Sequence, residues 1–375
     1  MKITSNFDSG NIEVLDASSP DNIQLAIRKD NQSDFYQWFH FRLSTEHNQM
    51  HTLTITNAGD SAYPDGWKDY QAVASYDRQT WFRVETEYDG KALTIKHYPE
   101  AESVYFAYFA PYSYERHMDL LHQAQSDYNC QLVELGETLD GRDMNMLIVG
   151  EPDDSKRKIW VIARQHPGES MAEWFIEGFL DRLLDEDDGV ARTLLDKAVF
   201  YVVPNMNPDG SVRGHLRTNA AGMNLNREWL NPSMEKSPEV YLVREKMQQI
   251  GCDMFLDVHG DENLPYNFVA GSEGVPSYNE RIATLENTFK QAWLTVTPEF
   301  QTTYGYELDA PGQANMTVAT AWVGDHFNCL AYTIEMPFKD NANLPDEAYG
   351  WSDIRSMKLG QDVLPAIMAV VDTLR

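Results

Sequence analysis

In the stretch RQHPGES, residues 164–170, His166 and Glu169 stand three positions apart where the apolar run IWVIA gives way to a helix-like pattern. A third donor, His259, closes the later run MFLDV. Two imidazoles and a carboxylate suit a hydrolytic zinc ion, which needs about three protein ligands and one open position for water. Glu169 faces the same point as His166 if the loop turns into a helix there; Pro167 and Gly168 offer one fixed and one permissive φ for that turn. Alone, an HxxE spacing more often marks a loop histidine and a glutamate in a helix's first turn. Here it is followed, in order, by NPDG at 207–210, RTNAAGMNLNREW at 217–229 and TIEMPF at 333–338, which contains Glu335.

The elements that must hold these residues differ along the chain. Up to about residue 112, short alternating runs such as IQLAI, HTLTITNA, WFRVETEY and SVYFAYF recur with turn residues between them, the pattern of an antiparallel β-sandwich-like domain. A proline turn in APYSYERHMDLLHQAQS then begins a helix. From residue 113 to 375, continuous apolar runs (MNMLIV, KIWVIA, AVFYVV, MFLDV, LAYTIEM) alternate with helix-like stretches, which predicts an α/β domain with a mixed, largely parallel sheet flanked by helices. Sites in such sheets gather at the carboxyl ends of the strands, and His166, His259, NPDG and Glu335 all fall there.

Composition narrows the function. Thirty basic against 58 acidic side chains give a formal charge of −28, which repels phosphate backbones and anionic headgroups, so neither nucleic acid nor membrane is an expected partner. The first thirty residues hold no apolar core of signal-peptide length, and a cytoplasmic location is expected. Cys130, Cys252 and Cys329 form no CxxC pair and read as reduced thiols. A homo-oligomer is among the states expected at this size.

The ordered motifs, with YFAYFAPYSYE at 105–115 after a β-rich amino-terminal region, resemble the zinc carboxypeptidases of the carboxypeptidase A superfamily, in the cytosolic carboxypeptidase-like branch. The resemblance implies that His166, Glu169 and His259 hold one Zn²⁺ per chain, and that Glu335 is the general base of a metal-activated water. It implies that Arg217 stabilises the oxyanion, and that Asn226 and Arg227 grip the terminal carboxylate of a peptide or protein substrate. Trp322, beside Thr320 and Ala321, falls where relatives line the side-chain pocket, and Tyr306 or Tyr304 where they place a mobile tyrosine. Arg164, Arg213 and His215 would join Arg217 and Arg227 in a local basic island.

Two departures stand out. Many members carry an acid where this chain has Asn224, so Asp257, two residues before His259, is a candidate to orient a ligand histidine. Eukaryotic members of the branch often show HGHS where this chain reads HGDENLPY, and those members are associated with removing glutamates. No Lys or Arg occurs between Lys290 and Lys339, so a basic pocket for glutamate needs its charge from elsewhere. Carboxypeptidase action is thus the expected function; the alternatives are a zinc deacylase of N-acyl amino acids, a peptidase of recycled cell-wall fragments, and a binding module without chemistry.

Overall fold

The computed structural model describes residues 1–375. Ten short strands fill the first 107 residues: β1 (Lys2–Thr4), β2 (Glu13–Asp16), β3 (Ile23–Ala26), β4 (His40–Ser44), β5 (His51–Ile55), β6 (Val73–Ser75), β7 (Phe82–Arg83), β8 (Thr86–Tyr88), β9 (Leu93–His97) and β10 (Ser103–Ala107). They form two five-stranded sheets, ordered β1-β4-β10-β6-β7 and β2-β3-β5-β9-β8. Alternation of buried and half-buried residues along β3 and β5 reflects one face on the core and one toward water. Pairing is antiparallel except between β3 and β5. The chain visits the other sheet through β4 between those two strands, and such a crossover permits the parallel pair.

The remaining strands, β11 (Cys130–Glu137), β12 (Asp143–Val149), β13 (Arg157–Ala163), β14 (Ala198–Val203), β15 (Met254–Asp261), β16 (Phe268–Ala270) and β17 (Leu330–Pro337), make one seven-stranded sheet in the order β11-β12-β14-β13-β15-β17-β16. The four central strands, β14, β13, β15 and β17, are parallel, and the outer three pair antiparallel. The MNMLIV run is β12, one of the antiparallel strands. It is tied to β11 by the tight turn at 138–142, and a short turn can only join antiparallel neighbours. Nine helices surround these strands: α1 (Tyr114–Ala124), α2 (Met171–Leu183), α3 (Gly189–Lys197), α4 (Pro208–Arg213), α5 (Pro238–Ile250), α6 (Glu280–Val296), α7 (Ala319–Phe327), α8 (Asp353–Asp362) and α9 (Leu364–Val370). β14, β15 and β17 are buried along their whole length because helices cover both faces of the sheet.

A single apolar cluster runs from the sandwich into one face of the large sheet. Tyr108, just after β10, stacks on Phe338, just after β17, with ring centroids 4.5 Å apart. Arg83 of β7 donates to the carbonyls of Phe338 and Trp351 at 2.9 and 2.8 Å. The amino-terminal sheets therefore pack against the end of the strand that carries Glu335.

Candidate metal centre and substrate cleft

The loop after β13 is shaped before it carries any ligand. Arg164, at φ +59°, is buried; its guanidinium donates to the carbonyls of Pro167 and Tyr112 and to the Glu173 carboxylate on α2. NPDG supplies the other wall. The Asn207 side chain caps α4 by accepting from Gly210 N–H and donates to the Gln165 carbonyl at 3.0 Å. Gly210 is required by contact: a Cβ there would lie 2.6 Å from the Thr218 carbonyl oxygen and would also strike Pro167.

This scaffold brings His166, Glu169 and His259 together, buried, with one potential ligand atom from each within 4.8 Å of the others. Glu169 lies between the imidazoles, Oε1 2.7 Å from His166 Nδ1 and Oε2 2.7 Å from His259 Nδ1. The outer nitrogens each lie near an oxygen. His166 Nε2 is 3.0 Å from Asn224 Oδ1, and His259 Nε2 is 2.9 Å from Asp257 Oδ2. Asp257 in turn accepts from Gln165, whose amide oxygen accepts from the Trp229 indole. Both inner nitrogens thus face Glu169, while His166 is oriented from behind by the Asn224 oxygen and His259 has the Asp257 carboxylate within 2.9 Å of its outer nitrogen, the kind of outer support that orients histidines for a metal. The donor set, two imidazoles and a carboxylate, fits zinc.

The charges are coupled. Burial opposes ionisation of Glu169, but the two imidazoles outweigh it and hold the carboxyl well below its usual range. Burial, then the Arg217 charge, lowers His166 to about 4. Burial also opposes charge on His259, yet Asp257 and Glu169 raise it well above its ordinary value. Glu335 is pushed well up by burial.

A cavity of about 340 Å³ opens from the triad, lined also by Arg217, Asn226, Arg227, Tyr306 and Glu335. Glu335 pairs with His259 in the β15–β17 ladder; its Oε1 accepts from Tyr306 O–H at 3.0 Å, while its buried Oε2 has no partner. Arg217 Nη1 lies 3.9 Å from Glu169 Oε1. Asn226 accepts from Ala319 N–H at the start of α7, and Arg227 donates to the Asn226 carbonyl at 2.6 Å, so these two residues are joined to the pocket wall.

Some expected residues stand elsewhere. Trp322 does not line the cavity: it is 8% exposed, packs in the apolar cluster behind the sheet, and lies under the Arg244 guanidinium. Its neighbours Thr320 and Ala321 project into the cavity instead, because successive residues on α7 point in different directions. Tyr304 stacks on Tyr266, which leaves Tyr306 as the cleft tyrosine. The basic island shrinks to Arg217 and Arg227: Arg164 is the internal brace just described, Arg213 pairs with Asp140, and His215 is bonded between Asn31 N–H and the Thr218 carbonyl.

The amino-terminal sandwich supplies residues that the motifs did not announce. Asp30, buried, accepts from Leu216, Arg217 and Thr218 N–H and from the Thr218 hydroxyl, at 2.7 to 3.0 Å. Tyr63 lines the cavity with the Arg217 guanidinium 5.3 Å from its ring centre. No spacing signal links residues 30 and 63 to a loop at 217, because their meeting is set by how the sandwich docks.

Three clustered potential metal ligands beside a buried carboxylate and two arginines, at the carboxyl ends of a mixed α/β sheet, are the parts a metal-dependent hydrolase needs. Residues 114–355 match the zinc carboxypeptidase family model, and residues 3–109 match that of the cytosolic carboxypeptidase N-terminal domain. The chain belongs to the zinc carboxypeptidase family. It is similar to a metallo-carboxypeptidase from Burkholderia cenocepacia (53% identity, TM-score 0.97, 99% of each chain covered). It is equally close to one from Pseudomonas aeruginosa, solved with (2-guanidinoethylmercapto)succinic acid (50% identity, TM-score 0.98, 100% of each chain covered). Cytosolic carboxypeptidase 6 of Caenorhabditis elegans is 27% identical over 369 residues, 89% of this chain and 78% of that protein.

Proposed function

We propose that this metallocarboxypeptidase releases the last residue of peptides or protein tails, with one zinc ion held by His166, Glu169 and His259 and with Glu335 as general base. The observation that carries the reading is Glu335, which lines the cavity beside the triad and whose buried Oε2 has no partner. Zinc bound there supplies a water acidified toward neutral pH and polarises the scissile carbonyl.

The protein's own groups do the rest. Glu335 Oε2 takes the proton of the attacking water and delivers it to the leaving amine, while Tyr306 fixes Oε1. Arg217 meets the negative charge that develops on the carbonyl oxygen. Asn226 and Arg227 hold the terminal carboxylate, so that the last peptide bond alone reaches the centre. Tyr306 covers the bound residue. The relatives' name supports action in the cytoplasm.

The test is release of free amino acids, read by mass spectrometry, from a mixed peptide library with zinc-loaded protein and with Glu335→Gln. Stepwise trimming by the native protein alone supports the reading. Turnover of N-acyl amino acids without trimming would replace it with the deacylase.

A further inference from the structure

The Arg217 guanidinium keeps its donors free. The side chain is 13% exposed, lines the cavity, and lies 3.9 Å from the nearest carboxylate oxygen, Glu169 Oε1, which is itself 2.7 Å from His166 Nδ1. None of the guanidinium nitrogens makes a hydrogen bond inside the chain, and none is walled off from solvent. Arg164, by contrast, spends its guanidinium on Pro167, Tyr112 and Glu173.

Ring faces border the Arg217 cation instead. Its guanidinium carbon lies over the Tyr63 ring, 5.3 Å from the centre, and over the Phe35 ring at 5.8 Å. Both distances fall inside the roughly 6 Å at which a ring face attracts a cation. Such a contact holds the charge without occupying an N–H, whereas a carboxylate partner would take up the donors and offset the charge.

Both rings come from the amino-terminal sandwich, and both are pinned. Asp30 N–H donates to the Phe35 carbonyl at 2.8 Å, which closes the turn between them. That turn grips Arg217 twice, through Asp30 at the backbone and through Phe35 at the guanidinium. Tyr63 N–H donates to Gln37 Oε1 at 2.8 Å, and Gln37 Nε2, fully buried, donates back to the Tyr63 carbonyl at 3.0 Å. The docking is close. Gly222, at φ +78° in the loop that carries Arg217, has no room for a Cβ, which would lie 2.5 Å from the Gln32 carbonyl oxygen.

Resting on the carboxypeptidase reading above, we infer that the sandwich is a working part of the active site, with Phe35 and Tyr63 as positioning residues whose ring faces hold the Arg217 guanidinium so that its free N–H groups meet the oxyanion. A long side chain without a hydrogen bond otherwise samples many rotamers. Donors aimed beforehand stabilise a developing charge with no reorganisation at the moment of reaction.

The experiment uses the full-length, zinc-loaded protein and reads both kinetics and a spectroscopic signature. In steady-state trimming of a peptide that the native protein cuts, Tyr63→Leu and Phe35→Leu should each lower kcat by about tenfold at unchanged zinc content, the scale of a desolvated cation–π contact. KM should move by less than about threefold, since the contact serves the transition state. Tyr63→Phe and Phe35→Tyr keep a ring face and should stay within about threefold of native. In an Arg217→Ala background neither Leu substitution should cost anything further, because the rings act through Arg217. The signature is the Arg217 Nε–H signal in arginine-selective nitrogen NMR spectra, assigned by its loss in Arg217→Ala. Ring currents should displace it in the native protein, and each Leu substitution should move it toward the position of an exposed arginine. Leu losses that persist in full without Arg217, or an Arg217 signal unmoved by both substitutions, overturn the inference. If the native protein trims no peptide, the peptidase reading falls, and the Arg217 signal by itself upholds or overturns the ring contacts.

Discussion

His259 and Glu335 are partners across the parallel ladder of β15 and β17. Paired residues in such a ladder send their side chains to the same face of the sheet, about 4.8 Å apart at the backbone. A proposed metal-ligand imidazole and the proposed base are thus set beside each other by strand register alone, and a slip of one residue would turn either away.

Glu335→Gln keeps the shape and removes the base. Hydrolysis should fall by about 10²- to 10⁴-fold, the usual contribution of general acid–base catalysis, with zinc content by elemental analysis unchanged. Loss of zinc together with activity would instead make Glu335 a part of the metal site.

The outer acceptors of the two histidines should matter unequally. Asp257 is buried and faces His259 Nε2, whereas Asn224 offers His166 an uncharged oxygen. Replacing Asp257 with Asn should weaken zinc about 10- to 100-fold in chelator competition, as mutation of the group behind a ligand histidine does, here by removing its charge. Asn224→Asp should strengthen it, because a charged acceptor raises imidazole basicity.

Asp30 lies far from Arg217 in sequence yet accepts four hydrogen bonds from residues 216–218. Its replacement by Ala should loosen the loop that carries Arg217 and lower kcat/KM by about 10²-fold, the scale of misplacing a catalytic group by an ångström, with zinc retained. Steady-state kinetics and elemental analysis check this together.

Trp322→Ala should destabilise the fold by about 3–5 kcal/mol through the cavity left behind α7, measured by denaturant unfolding. A change in terminal-residue preference without that loss would return Trp322 to the pocket.

Glu239 on α5 is buried, accepts from Asn219 Nδ2 with both carboxylate oxygens, and is raised to about 8, first by burial. Because its folded value lies above its unfolded one, its contribution to stability is complete below about pH 4.5 and is lost as pH rises through about 8, at up to about 1.4 kcal/mol per pH unit. Glu239→Gln should flatten that slope in unfolding curves between these values; an unchanged slope would assign it to other groups.

The sequence by itself determined the family and the residue types at the candidate site. Ligand types, their order and the strand-end position of HPGE, NPDG and TIEMPF all follow from local patterns, since apolar runs, turn residues and short motifs act within a few positions of themselves. The tertiary structure alone decided which neighbours complete the site. Asp30 and Tyr63 reach Arg217 only because the sandwich packs on the large sheet, Arg164 is internal because the loop after β13 folds back on Tyr112 and α2, and the helical twist of α7 sends Thr320 and Ala321 into the cavity while Trp322 faces the core. Such contacts depend on how elements dock and rotate, and no spacing along the chain encodes either.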